Sequence, residues 1–217
     1  MEKEPEELAS HVFDLFDKGG VAKSTFRRWF PDDSCIYCTK VLFEVFRALG
    51  IAAEAVAVRV RIYSPGFVSR FHREGRMPES AEEAHSWHSE PGVWSVGIGY
   101  GGGGVVPKHK WPGHLVLRSG STLIDATLDQ INRPEHGIVM PDMLRLAPVP
   151  EAFWRAEDLL SAEINGCQVV YEARPRNNSY VGSPAWSGQS HCGDAVGVVA
   201  AELIRYLESK GVRRMAK

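Results

Sequence analysis

Residues 33–50 read DSCIYCTKVLFEVFRALG, and the spacing of their apolar side chains decides how the chain begins to fold. Cys38, Leu42, Val45 and Leu49 recur at helical intervals, with Val41 and Phe46 flanking them, so a buried helix is predicted from about residue 35 to residue 49. Pro31, Asp32, Asp33 and Ser34 precede it as a break rich in N-cap residue types, and Gly50 ends it. Two cysteines three apart at the mouth of such a helix admit four readings: a redox pair, half of a metal site, a nucleophile with a bystander, or plain core. Cys38 lies on the apolar stripe and is read as a small core residue. Cys35 stands off the stripe, at the helix N-terminus, where free N–H groups and the positive end of the dipole stabilise a thiolate.

Outward from this helix, Leu8, Val12, Leu15 and Phe16 predict a helix over 5–17, stopped by Gly19 and Gly20, and a short helix is expected over 21–30. Downstream, EAVAVRVRIY (54–63) alternates Val56, Val58, Val60 and Ile62 with Ala57, Arg59 and Arg61, the period of a strand with one buried face. Residues 64–92 lose periodicity and are read as an irregular excursion. VWSVGIG (93–99) is a strand, 100–113 a glycine-rich loop and HLVLRSGSTLIDAT (114–127) a hairpin. INGCQVVYEAR (164–174) is a further strand region, 175–192 a polar loop carrying aromatics, and 193–210 a C-terminal helix. Helices first, then hairpin-linked strands, then a helix describe an α+β chain with an antiparallel sheet.

The 217 residues, 44% of them hydrophobic, are enough for one cored domain, expected to span 1–217. A net charge of −2 gives no pull toward nucleic acid or an anionic membrane. No run approaches the roughly 18 apolar residues of a membrane span. The acidic N-terminus lacks the apolar centre of a signal peptide, so a cytoplasmic protein with reduced thiols is expected.

The hairpin supplies the partners that Cys35 needs. With a two-residue loop at Ser119 and Gly120, His114 faces Asp125 directly across the strands; a four-residue loop keeps that pairing, and a three-residue loop sends the two to opposite faces. A carboxylate beside an imidazole fixes its tautomer and supports the imidazolium, as a general base requires.

The order Cys, His, Asp, carried by Ser34-Cys35-Ile36 entering a helix, Gly113-His114-Leu115-Val116 on one strand and Ile124-Asp125-Ala126-Thr127 on the next, resembles the transglutaminase-like superfamily of papain-like cysteine enzymes. The match covers roughly residues 31–130 and leaves the N-terminal helices, the 64–112 excursion and the C-terminal part outside it. It implies a papain-like core, with the helix bearing Cys35 packed on an antiparallel sheet bearing His114 and Asp125. It also implies acyl transfer, or amide or peptide hydrolysis, through a thioester: Cys35 attacks, His114 moves the proton and Asp125 orients His114. The substrate is then an acyl- or amide-bearing protein or small molecule, and neither metal nor cofactor is called for. The chain lacks the R-G-G-x-C of arylamine N-acetyltransferases and the G-Q-C-W of animal transglutaminases, which disfavours those two activities. Trp29 and Gln130 are candidate oxyanion donors, and Trp111, Gln130, Tyr180 and Trp186 are candidate substrate-binding residues.

Rival readings remain beside it. C-x-x-C at a helix N-terminus is also a thiol-redox geometry, using Cys35 and Cys38. A non-catalytic binding module of the same fold is another. Zinc is weaker, because Cys167 and Cys192 form no second pair, and His85-x-x-His88 reads as surface. The run Gly101–Gly104 has no Lys-Ser/Thr after it and is no phosphate loop; it is a connector or a hinged cover leading to His114.

Overall fold

The computed structural model describes residues 5–30, 34–99, 111, 113–187 and 191–215. Three helices open the chain: α1 (Pro5–Gly19), α2 (Val21–Trp29) and α3 (Ser34–Leu49). The long strand β1 (Glu54–Tyr63) follows, then α4 (Pro65–Glu74), α5 (Ala81–His88) and β2 (Ser95–Ile98). The hairpin is β3 (His114–Ser119) and β4 (Thr122–Asp125). Beyond it come β5 (Leu144–Leu146), α6 (Glu151–Trp154), β6 (Leu160–Ile164), β7 (Cys167–Ala173), α7 (Pro184–Ser187) and α8 (His191–Ser209).

The strands form one antiparallel sheet in the order β5-β4-β3-β1-β7-β6, with β2 also paired to β1. β1 organises it: its first half pairs with β3, its second half with β2, and β7 lies along its other edge. Alternation gives each face of the hairpin its own core. Leu117 and Ile124 point to the helices and pack with Cys38, Val41, Leu42, Val45 and Leu49 of α3 and Val199, Leu203 and Leu207 of α8. Val116 and Leu123 point the other way, joining Val58, Val60, Ile62, Val169, Tyr171 and Phe153. The α3 stripe is essentially solvent-free, as its periodicity predicts. Among the described residues no helix is long and apolar enough to cross a membrane.

Two readings of the sequence need correction and a third, the strand region over 164–174, is borne out and extended. Residues 64–92 are not irregular throughout, because they hold α4 and α5. Ser64 and Ser80 cap these helices by accepting from the N–H groups of Phe67 and Glu83, Pro65 takes the first turn, and Gly75 closes α4 in the left-handed conformation. Their apolar side chains are few, Phe67 and Phe71 on α4 and Trp87 on α5, and gather in a small separate core; the caps are the clearer signal. Residues 164–174 are the second half of a hairpin, turned by Asn165 and Gly166, both at positive φ; Asn-Gly is the loop pair such a turn favours. The strand expected over 93–99 is shorter, Ser95–Ile98.

Leu42 is 1% exposed in the middle of the α3 stripe. Leu42→Ala is expected to lower the unfolding free energy by about 2–5 kcal/mol with an unchanged urea m-value, measured by equilibrium denaturation.

Candidate active site

The hairpin turns one residue later than the simplest reading of its sequence. Gly120, at φ 56°, takes the first loop position and Ser119 pairs with Thr122. A glycine suits that position because positive φ costs it nothing. The register therefore moves by two residues, and in it Val116 rather than His114 falls opposite Asp125. A two-residue shift leaves every side chain on its own face, so His114 and Asp125 still meet, now on the diagonal. His114 Nε2–H donates to Asp125 Oδ2 over 2.8 Å, and both side chains are fully buried. Asp125 gathers two more donors: the Thr127 N–H to Oδ1 at 3.0 Å and the Tyr171 hydroxyl to Oδ2 at 3.0 Å. Burial of a carboxylate is costly unless its oxygens are hydrogen-bonded in this way.

Cys35 reaches the pair from the other side of the sheet. His114 and Asp125 share the parity of Val116 and Leu123, away from α3, whereas Cys35 sits in the first turn of α3. The approach runs round the start of β3, where Cys35 Sγ lies 4.0 Å from the Gly113 carbonyl. Thr39, one turn further along α3, locks the two elements together: its buried hydroxyl donates to the Leu115 carbonyl over 3.2 Å. Cys35 is partly exposed and Cys38 is fully buried in the helical core, so the two thiols differ in access as the apolar stripe implies.

The electrostatics of His114 follow from this geometry. Burial by itself lowers the proton affinity of an imidazole. Here the Asp125 charge and hydrogen bond, with a further contribution from the Cys35 thiol, outweigh it and push His114 up to about 10. That direction favours the doubly protonated ring, with one proton shared with Asp125 through Nε2. The other nitrogen, Nδ1, is buried and has no hydrogen-bond partner, although Cys35 acts on the ring. The Cys35 thiol thus raises the proton affinity of the ring without a well-aligned hydrogen bond to Nδ1.

Around the thiol stands an aromatic surface. Trp111, Tyr180 and Trp186 pack with Cys35, Ile36, Tyr37 and Leu115. Their rings run edge to face, Trp111–Tyr180 at 5.6 Å and Tyr180–Trp186 at 4.9 Å between centroids. Ser179 accepts from Trp111 Nε1 at 3.0 Å, and Ala55 accepts from the Tyr180 hydroxyl at 3.0 Å. Gly113 carries no side chain where a Cβ would overlap the Trp111 ring. So three of the four residues proposed for substrate binding belong to the same hydrophobic cluster as Cys35. Gln130 instead lies exposed on the short 3₁₀ turn Leu128–Ile131, outside that cluster, and Trp29 is 40% exposed at the end of α2. The glycine run 101–104 falls outside the described residues. His88 is held by Ser95 and by a tilted ring contact with Trp94 rather than standing as half of a ligand pair. Among the described residues no three His, Cys, Asp or Glu side chains come together as a metal site.

Two members of the site escape sequence reasoning. Thr39 reads as a neutral helix residue, and only the helix–strand contact gives it a role. Tyr171 lies 46 residues beyond Asp125, outside the 31–130 segment that carries the resemblance. Its alternation on a strand reveals burial but not a partner three strands along the sheet. Compared with known proteins, the chain matches no family model, no curated protein and no solved structure.

Two outcomes are expected. Thr39→Val leaves the buried Leu115 carbonyl without its donor; stability falls by about 1–3 kcal/mol, and the alkylation rate of Cys35 falls with it as α3 loosens from β3. Thermal unfolding and timed iodoacetamide labelling measure the two effects. The second follows from linkage. Folding raises the proton affinity of His114 from its ordinary 6.5 to about 10, so its contribution is complete below about pH 6.5 and is lost as pH rises toward about 10. The stability difference between the wild type and His114→Gln therefore shrinks over that interval, as urea unfolding at a series of pH values will show.

Proposed function

We propose that the protein is a cysteine-dependent enzyme of the transglutaminase-like kind, acting by acyl transfer or by amide or peptide hydrolysis through a thioester. One observation carries this reading: a fully buried His114 spends one nitrogen on Asp125 and leaves the other on the side of a partly exposed thiol at a helix N-terminus. A structural His–Asp pair does not require a thiol beside its second nitrogen. A core cysteine does not require a helix N-terminus.

The chemistry then runs in two halves. The Cys35 thiolate attacks the acyl carbon, forming a C–S bond and a tetrahedral oxyanion, which the backbone N–H groups of the first turn of α3 are placed to receive. Collapse of the oxyanion breaks the bond to the leaving nitrogen or oxygen, which takes the Nδ1 proton of the His114 imidazolium. An acceptor, water or an amine, then attacks the thioester and returns a proton to His114. Collapse of the second tetrahedral adduct breaks the C–S bond and restores the thiolate. Asp125 keeps its charge throughout and steadies the ring in both protonation states. Trp111, Tyr180 and Trp186 offer the acyl or leaving group an apolar surface beside the sulfur. Water and amine compete in the same mechanism, and exclusion of water decides between them. Within this reading the core is residues 31–130, helix α3 against the β1, β3, β4 face, and neither metal nor cofactor enters a step.

The test is iodoacetamide labelling resolved by peptide mass spectrometry across pH. Cys35 is expected to label selectively at and below neutral pH. Removal of the base in His114→Ala slows this on the order of a hundredfold, while Cys38→Ser leaves it intact. Equal labelling rates in the wild type and His114→Ala would refute the catalytic pair. Loss of reactivity in Cys38→Ser would indicate a redox couple instead.

A further inference from the structure

Asp125 Oδ2 accepts two hydrogen bonds, from His114 Nε2–H at 2.8 Å and from the Tyr171 hydroxyl at 3.0 Å. The three groups come from β3, β4 and β7, and all three are fully buried. The phenol lies between a carboxylate and an apolar core, which holds its own proton affinity well above the ordinary tyrosine value. It thus remains a donor at any pH the protein tolerates, because a carboxylate offers it only acceptors. Thr127 N–H holds the other oxygen at 3.0 Å, so the carboxylate is clamped from both ends.

The consequence concerns proton affinity at the imidazole. Tyr171 and His114 draw on the same oxygen. A donor that stabilises the charge on Oδ2 reduces what is left to hold the imidazolium proton. We propose that Tyr171 is a positioning residue that sets how tightly His114 holds its proton, by sharing Asp125 Oδ2 with it. This rests on the cysteine-enzyme reading for its purpose, because the imidazolium must surrender its proton to a leaving group; the coupling itself is a property of the three side chains. Without Tyr171, Asp125 grips the imidazolium harder and proton delivery slows. The ionisable groups acting directly on His114 are Asp125 from β4 and Cys35 from α3, while Tyr171 from β7 acts through Asp125.

The test is the titration of His114 followed by NMR on the full-length protein carrying isotope-labelled histidine, with His114→Gln assigning the signal. In Tyr171→Phe the His114 midpoint is expected to rise by about one pH unit, a tenfold gain in proton affinity. 3-Fluorotyrosine at position 171, a stronger donor of almost the same shape, is expected to lower it. Opposite shifts from two near-isosteric replacements are not a packing effect, and the fluorinated protein keeps the test open should Tyr171→Phe fold poorly. Midpoints that stay put, or that move the same way in both, would overturn the proposal. Cys35 alkylation on the same samples reports separately on the catalytic reading: an inert Cys35 with shifted His114 midpoints sinks the enzyme and leaves the coupling standing.

Discussion

The hydrogen bond between His114 and Asp125 is the constraint on which the rest of the site depends. Both groups are removed from water, and a buried charge is tolerable only when paired and hydrogen-bonded. Each element near the pair meets part of that requirement. β4 brings Asp125, the backbone at Thr127 holds one carboxylate oxygen, β7 brings Tyr171 to the other, and β3 places His114 on the same face. A pair so enclosed adds little to stability by comparison with apolar residues of the same volume, but loss of either partner leaves the other stranded. The cost of removing one partner therefore exceeds what the pair itself contributes.

The position of the pair between two cores explains how a thiol can join it. The helical core lies on one face of the hairpin and the second core on the other. A side chain at the centre of β3 would see only one of them. His114 is the first residue of the strand, so α3 reaches its ring round the strand's end, past Gly113. Thr39 fixes the distance between helix and strand at that point. Tyr180 and Trp186 beyond β7 and Trp111 before β3 share one hydrophobic cluster with the first turn of α3.

What was legible in the sequence is what local periodicity encodes. The α3 stripe separated Cys38 from Cys35, because burial every third or fourth residue is a property of one helix. The His114–Asp125 contact was legible for a subtler reason. The hairpin turns at Gly120 and Ser121 instead of Ser119 and Gly120, yet the resulting shift is even, and an even shift preserves the face. Tyr171 and Thr39 were not legible, since their roles exist only after β7 and α3 have been set against distant strands. Helices α4 and α5 are short and carry few apolar residues, so the caps Ser64 and Ser80 signal them better than any apolar repeat does. No periodicity or motif speaks for Gln130, and the 3₁₀ turn after β4 leaves it exposed.

The measurement that bears most directly on the central claim is capture of the thioester itself. The protein would be mixed with an activated acyl ester such as p-nitrophenyl acetate, quenched in acid, and its intact mass and peptides analysed. The account predicts a single acetyl group on Cys35, discharged by hydroxylamine and absent from Cys35→Ser. It also predicts much slower formation in His114→Ala. Acetylation confined to lysines, or to Cys35 at the same rate with and without His114, would contradict it.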